Sequence, residues 1–175
     1  LKNVTKISSG TILGQLISFI TLPIFTRIYG AAVIGNWTLF NSVAIIVNAF
    51  SDLGLLNAIM VEVDEHETKK LYSVISTFVL IISTVVGIVF FIYYSIYPNE
   101  AGINPCFYAI VLIVLIFTQQ QVQLAYSWLN KKSKYNVLMK NPIVNNMAIA
   151  VVAIPLGLMG FTKYGYYLGL VCGQI

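Results

Sequence analysis

The stretch from Ile7 to Gly30, ISSGTILGQLISFITLPIFTRIYG, constrains the fold of this chain more than any other. Between Ile7 and Ile28 its only charged residue is Arg27. At about 1.5 Å per residue, a helix of this length crosses the hydrocarbon layer of a bilayer, which is about 30 Å thick. The stretch therefore predicts a first membrane span, with a kink at Pro23, where a backbone donor is missing.

Polar side chains are unusually frequent in this span. At about 100° per residue, an arc of about 80° holds Ser8, Thr11, Gln15 and Ser18. Hydrogen-bonding groups without partners are costly in hydrocarbon, so this face should turn toward other helices or toward a water-filled cavity. Gly10 and Gly14 form a pair of small residues that favours close helix packing. For Gln15, packing between helices and lining of a cavity are both open.

Composition excludes a water-soluble fold, because the chain is 58% hydrophobic and 9% charged, whereas soluble domains average about 25% charged residues. Basic residues outnumber acidic ones by ten to six, but no basic patch with interleaved aromatic residues indicates a nucleic-acid partner. Cys106 and Cys172 lie far apart, without the spacing of metal ligands. We therefore expect a polytopic membrane protein with no metal site, cofactor or catalytic residue.

The fold class expected is all-α, an integral membrane helical bundle with five complete transmembrane helices and the start of a sixth. The predicted spans are approximately 7–28, 34–61, 71–97, 106–130, 141–161 and a truncated 164–175. A short turn over Ala31 to Asn36 separates the first two. Pro142 fits the first turn of the fifth span, and Pro155 suggests a bend near its end. Because the last apolar segment is still running at Ile175, we expect the chain to be part of a longer protein.

The second span carries a polar stripe. Asn41, Asn48 and Asp52 are spaced by seven and four residues, which confines them to an arc of about 40°. An ionisable residue within a span is a functional-site hypothesis, so Asp52 is a candidate for ion coupling. The sequence from Ser51 to Gly54 also resembles a helix break, and Asp52 then caps a last turn at the cytoplasmic interface. Both roles are open.

The fourth span contains a cluster of glutamines, namely Gln119, Gln120, Gln121 and Gln123. An arc of about 60° holds Gln119, Gln123, Tyr126 and Asn130, whereas Gln121 points nearly the opposite way. Such a cluster needs hydrogen-bonding partners on more than one side. For the Gln119 face, contact with substrate or water and bonding between helices are both open.

Basic residues are distributed unequally between the two predicted sides of the membrane. One side holds Lys2, Lys6, Lys69, Lys70, Lys131, Lys132, Lys134 and Lys140. The other side holds Arg27 and Lys163. By the positive-inside rule the amino terminus is expected to be cytoplasmic.

Several stretches of the sequence carry a resemblance to a known family. They are SSGTILGQLISFITLPIFTRIYG followed by AAVIGNWTLF, then FSDLGLLNAIMVE, and later AYSWLNKKSKYNVLMK. Together they resemble the amino-terminal half of a polysaccharide-biosynthesis flippase, of the O-antigen and capsule-unit translocase family in the multidrug/oligosaccharidyl-lipid/polysaccharide flippase superfamily. The resemblance covers essentially all 175 residues. It implies a full protein of two six-helix lobes facing a central cavity, with most of the first lobe supplied here.

The resemblance also implies a function. Members move a polyprenyl-pyrophosphate-linked oligosaccharide, such as the repeat unit of O-antigen lipopolysaccharide or capsule, across the bacterial inner membrane by alternating access. No covalent chemistry is involved, so an enzyme is not expected. Related transporters couple to proton or sodium gradients through acids in the first lobe. Arg27 occupies the family's Arg-(Ile/Leu)-Tyr position, where contact with a pyrophosphate or acidic sugar and extension to the lipid interface are both open.

The residues support a carrier independently of the resemblance. A sugar headgroup cannot cross hydrocarbon with its hydroxyls unpaired, so a carrier needs a hydrogen-bonding cavity between its helices. The candidates for the cavity walls are Gln15, Arg27, Asn41, Asn48, Gln119, Gln123 and Tyr126.

Three rival functions remain at this point. An ion-coupled drug exporter of the same superfamily needs a deeply placed titrating acid, for which Asp52 is the sole candidate. A membrane glycosyltransferase or polymerase should show paired carboxylates or a His/Arg cluster in a large loop, and the connections here are short. A scaffold subunit without transport activity would bury the glutamine cluster in helix contacts.

Overall fold

A computed structural model describes residues 2–51, 54–62, 64–97 and 104–174. Of these residues, 91% are helical and none lies in a β-strand. The helices are α1 (Lys2–Ser51), α2 (Leu55–Val61), α3 (Glu65–Ile96), α4 (Pro105–Lys131), α5 (Tyr135–Leu158) and α6 (Gly165–Gln174). The all-α prediction is confirmed.

Four segments of the described helices are long and apolar enough to cross a membrane. They are Ile7–Ser51, Glu65–Ile96, Pro105–Lys131 and Tyr135–Leu158. Large apolar side chains are exposed along them, with Phe19 78% and Phe50 74% exposed. Such side chains are stable against lipid and unstable against water. The chain is therefore a multi-pass membrane protein.

Helix α1 is interrupted at Gly30, where φ is 79° and ψ is 159°. A residue with a side chain rarely adopts this conformation, so glycine permits the break. The helix resumes directly at Ala31, so the turn predicted over Ala31 to Asn36 is wrong. A single residue makes the break because residues 31–36 retain helical hydrogen bonding. Pro23 lies inside the helix, and the kink expected there stays a prediction.

The second predicted span, 34–61, is not one helix. Helix α1 ends at Ser51, and α2 begins after Gly54, whose φ of 77° is left-handed. The helix-break alternative is therefore the correct description of this segment. Asp52 itself lies outside the described residues, so both of its roles stay predictions.

Helices α3 and α5 each begin six residues before the predicted spans at 71 and 141. Asp64 caps α3 by accepting a hydrogen bond from the His66 backbone N–H at 2.9 Å, which continues the helix into the polar segment. Because α5 begins at Tyr135, Pro142 lies in its interior and not in its first turn. Hydropathy marks only the apolar part of each helix, which explains the late predicted starts.

The chain forms two compact units. Unit one comprises Leu1–Trp37 and Leu129–Ile175, and unit two comprises Thr38–Trp128. In unit one, α5 packs against α6, and the first part of α1 approaches α5 closely at Gly10 and Gly14. Aromatic rings fill one end of this unit, where Tyr166 contacts Phe25, Tyr29 and Trp37.

A single asparagine links helices in unit one. Asn146 Oδ1 accepts a hydrogen bond from Ser18 Oγ at 2.7 Å. Its Nδ2 donates to the carbonyl oxygens of Gly14 at 3.1 Å and Pro142 at 2.9 Å. Both ends of the amide are therefore satisfied, and part of the polar face predicted on the first span serves helix packing.

Unit two has a core from three helices. Ile59 of α2, Ile75 and Val79 of α3, and Leu124 of α4 are buried together. A second cluster joins the last part of α1 to α3 and α4 through aromatic rings, with Phe40 contacting Phe90, Tyr94 and Tyr108. These apolar contacts hold the last part of α1, α2, α3 and α4 together, and the polar side chains of this unit project from these helices.

We expect Gly14→Ala to destabilise the protein, because the added Cβ would lie 2.9 Å from the Pro142 carbonyl oxygen. Overpacking of this kind lowers the free energy of unfolding by about 1–3 kcal/mol. The measurement is the melting temperature of the full-length protein in detergent. The matched control is Gly35→Ala, where the Cβ meets nothing within 4 Å and the better helix propensity should stabilise. Equal stability of the two variants would contradict the packing described.

Candidate functional site

Unit two contains a chain of three amide side chains. Gln119 Nε2 of α4 donates to Asn41 Oδ1 at 2.9 Å, and Gln119 Oε1 accepts from Asn48 Nδ2 at 3.1 Å. Asn41 and Asn48 lie seven residues apart on α1, two helical turns, so they project from the same face. We call these three residues the amide chain. The structure brings together three of the residues predicted for the cavity walls.

The amide chain lies well inside the membrane-crossing part of the protein. Gln119 is near the middle of the 27-residue helix α4, and all three side chains are partly buried. No charged group takes part in its hydrogen bonds. Each bond is neutral, with a net contribution to stability of about 0.5–1.5 kcal/mol. Of the two alternatives for Gln119, bonding between helices is observed, and contact with substrate stays a prediction.

Gln121 bonds on the opposite side of α4, as its position two residues on from Gln119 predicts. Its Oε1 accepts from Tyr72 Oη at 2.6 Å, and its Nε2 donates to Ser76 Oγ at 3.0 Å. Both partners belong to α3. The prediction that the glutamine cluster needs partners on more than one side is confirmed.

Two buried amide atoms of unit two lack a hydrogen-bond partner among the described residues. They are Asn48 Oδ1, an acceptor, and Gln120 Nε2, a donor. Gln120 is buried in α4, with 1% of its surface exposed. An amide buried without a partner costs about 1–3 kcal/mol. These two atoms are therefore the most unusual polar features of the unit.

The remaining predicted cavity residues of α4 are Gln123 and Tyr126. Gln123 is exposed and Tyr126 is partly buried. Both lie on the Gln119 face by helical spacing. The amide chain does not include them.

Two predicted residues belong to unit one. Gln15 and Arg27 of α1 are both exposed. Gln15 lies one residue after Gly14, which is buried against Pro142. One residue turns a helix by about 100°, so Gln15 is directed away from the contact between Gly14 and Pro142. Asp52, the ion-coupling candidate, lies outside the described residues.

The arrangement offers hydrogen bonds and no fixed charge. Among the described residues, no group of three or more His, Cys, Asp or Glu side chains is placed to hold a metal ion. Sequence reasoning did not include Gln120 among the cavity candidates and did not identify Ser76 as a partner of Gln121. Helical spacing gave the direction of each side chain, but it gave no information about which atoms find partners.

A comparison with protein-family models identifies the chain. The model described as "Polysaccharide biosynthesis protein" matches residues 1–175, the whole sequence. The chain belongs to this polysaccharide biosynthesis family. No curated protein and no solved structure matches it.

Replacing Gln119 by leucine should destabilise this polysaccharide biosynthesis protein. The change removes both bonds of the amide chain and leaves Asn41 and Asn48 unpaired, which costs about 1–3 kcal/mol. The measurement is the melting temperature in detergent. The control is Gln123→Leu on the same face, where an exposed side chain is replaced and the change should stay within about 0.5 kcal/mol. An unchanged melting temperature for Gln119→Leu would mean that the amide chain contributes nothing to stability.

Proposed function

We propose that this chain is the amino-terminal lobe of a flippase that moves a polyprenyl-pyrophosphate-linked oligosaccharide across the bacterial inner membrane. The observation that carries the proposal is the match of the polysaccharide biosynthesis family to residues 1–175, which supports a carbohydrate substrate. The amide chain of Asn41, Gln119 and Asn48 adds uncharged hydrogen-bonding groups in the middle of apolar helices, although its bonds between helices are also what a scaffold subunit would show. Transport proceeds by alternating access without covalent chemistry, so the protein is not an enzyme.

The physical reason is the cost of moving a sugar through hydrocarbon. Each hydroxyl that loses water without gaining a partner costs several kcal/mol, of the order of 2–7. A carrier lowers this cost when its helices offer neutral donors and acceptors at mid-membrane depth. Amide side chains provide both on one group, whereas a charged residue would favour substrates of one sign.

The proposed lobe contains five complete spans and the start of a sixth. Helix α1 is interrupted at Gly30, and in the proposal its two apolar segments are separate spans, while α3, α4 and α5 provide the other three. Helix α6 begins the sixth span. A second lobe of similar size faces this one across the cavity. Gln15 is exposed in the first span, and we assign it to the cavity wall because lipid offers an amide no partner.

The proposed orientation places the amino terminus in the cytoplasm. Lys69, Lys70, Lys132, Lys134 and Lys140 are exposed in segments assigned to that side. At the opposite end of α3, Tyr93 and Tyr97 are exposed, as expected for an aromatic belt at the membrane interface. Membrane lipid is thus a partner along the whole chain. An ion gradient acting through Asp52 remains part of the proposal.

Loss of the protein tests the proposed function directly. Deleting its gene should remove the surface polysaccharide and leave the lipid-linked repeat unit in the cytoplasmic leaflet, because the units are still made but not moved. The measurement is the amount of lipid-linked unit in extracted membranes and its accessibility in inverted vesicles. Restoring the gene is the control. An intact surface coat in the deletion strain would reject the proposal.

Thiol labelling tests the cavity assignment of Gln15. With Cys106 and Cys172 replaced by serine, Gln15→Cys should react with a membrane-impermeant maleimide, since it faces water in at least one transport state. The control is Leu16→Cys, at the same depth but turned by about 100° and 51% exposed, which should face lipid and stay unlabelled. Equal labelling at the two positions would exclude a cavity that is restricted to the Gln15 face.

A further inference from the structure

The two amide atoms without partners in unit two have complementary chemistry. Within the part of the chain that the structure describes, Asn48 Oδ1 is a buried acceptor that receives no hydrogen bond, and Gln120 Nε2 is a buried donor that gives none. Because Gln120 is 1% exposed, bulk water cannot compensate its loss of solvation in this state. Native proteins rarely leave such groups unpaired, so the pair indicates a ligand.

The neighbours of Gln120 define where this ligand binds. Gln119, one residue before it, bonds to α1 through Asn41 and Asn48, and Gln121, one residue after it, bonds to α3 through Tyr72 and Ser76. At about 100° per residue, Gln120 lies between these two directions. Its amide therefore projects from α4 in a direction between those of the contacts to α1 and to α3.

The two atoms together select one ligand chemistry. A cation would satisfy only the acceptor, and an anion would satisfy only the donor. A sugar carries several hydroxyl groups, each of which can donate one hydrogen bond and accept others, so one sugar can satisfy both atoms.

We propose that Asn48 and Gln120, adjoining the amide chain, form a binding site for a hydroxyl group of the transported carbohydrate. This inference rests on the proposed function and specifies its substrate contact. In the structure Gln119 is bonded to Asn41 and Asn48, which in this proposal is the closed state of the site. When α1 and α4 separate during transport, a sugar hydroxyl replaces these bonds with others of the same neutral kind. The exchange needs no movement of charge.

A pair of neighbouring substitutions tests the site. Gln120→Met removes the unpaired donor at similar volume, so the melting temperature of the full-length protein should stay equal or rise. Transport of the lipid-linked unit should fall by about three- to tenfold, the value of one neutral hydrogen bond. Gln121→Met is the matched control, because it breaks the bonds to Tyr72 and Ser76. It should lower the melting temperature.

The combination of the two measurements distinguishes binding from structure. A wild-type transport rate in Gln120→Met would overturn the proposal, since the donor would then contact no substrate. A loss of transport together with a fall in melting temperature like that of Gln121→Met would also overturn it, because the role would be structural.

A binding measurement separates this inference from the proposed function. Methyl glycosides of the sugars in the host's surface polysaccharide should raise the melting temperature of the wild-type protein and have a smaller effect on Gln120→Met. An increase of the same size in both proteins, or in neither, would overturn the site and leave water as the only hydroxyl donor there. If the wild-type protein moves no lipid-linked oligosaccharide but shows the glycoside effect, the proposed function fails while the hydroxyl site stands.

Discussion

The structure depends on one constraint: a hydrogen-bonding group in hydrocarbon must find its partner inside the protein, because lipid offers none. Short hydroxyl side chains meet this constraint within their own helix. Thr77 and Thr84 of α3 donate to the carbonyl oxygens of the residues four positions earlier. Such residues can occupy a lipid-facing surface at little cost, so their presence in a span carries little information about function.

Amide side chains are satisfied only in part in this way: Asn146 Nδ2 donates to the Pro142 carbonyl oxygen of its own helix, but its oxygen needs a donor from elsewhere. Asparagine and glutamine carry a donor and an acceptor on one group, and the backbone donors inside a helix are already used. A buried amide therefore bonds to a second helix or stays unpaired. Asn146 links α5 to α1 in unit one, and Gln119 and Gln121 link α4 to α1 and α3 in unit two. The amides thus link helices within each unit, and in unit two one atom of Asn48 and one of Gln120 have no partner among the described residues.

The sequence predicts the helices better than it predicts the site. The fourth span, expected at 106–130, is observed as Pro105–Lys131, because a proline and a lysine mark the ends of its apolar run. The polar first turns of α3 and α5 were missed because hydropathy does not register them. Helical spacing correctly set Gln121 opposite Gln119. It could not predict that Tyr72 is a partner of Gln121 or that Gln120 Nε2 has no partner among the described residues. Both facts depend on how the neighbouring helices pack.

The neutral character of the amide chain affects how the proposed carrier opens. Separating Gln119 from Asn41 and Asn48 breaks two neutral hydrogen bonds, about 1–3 kcal/mol in total, and a substrate with hydroxyl groups can restore them. Breaking a buried ion pair instead costs about 3–5 kcal/mol and leaves a charge that a neutral sugar cannot compensate. Alternating access requires closed and open states of similar free energy, within a few kcal/mol. An uncharged link meets this requirement for a carbohydrate substrate, whereas an ion pair at the same position would hold the helices together.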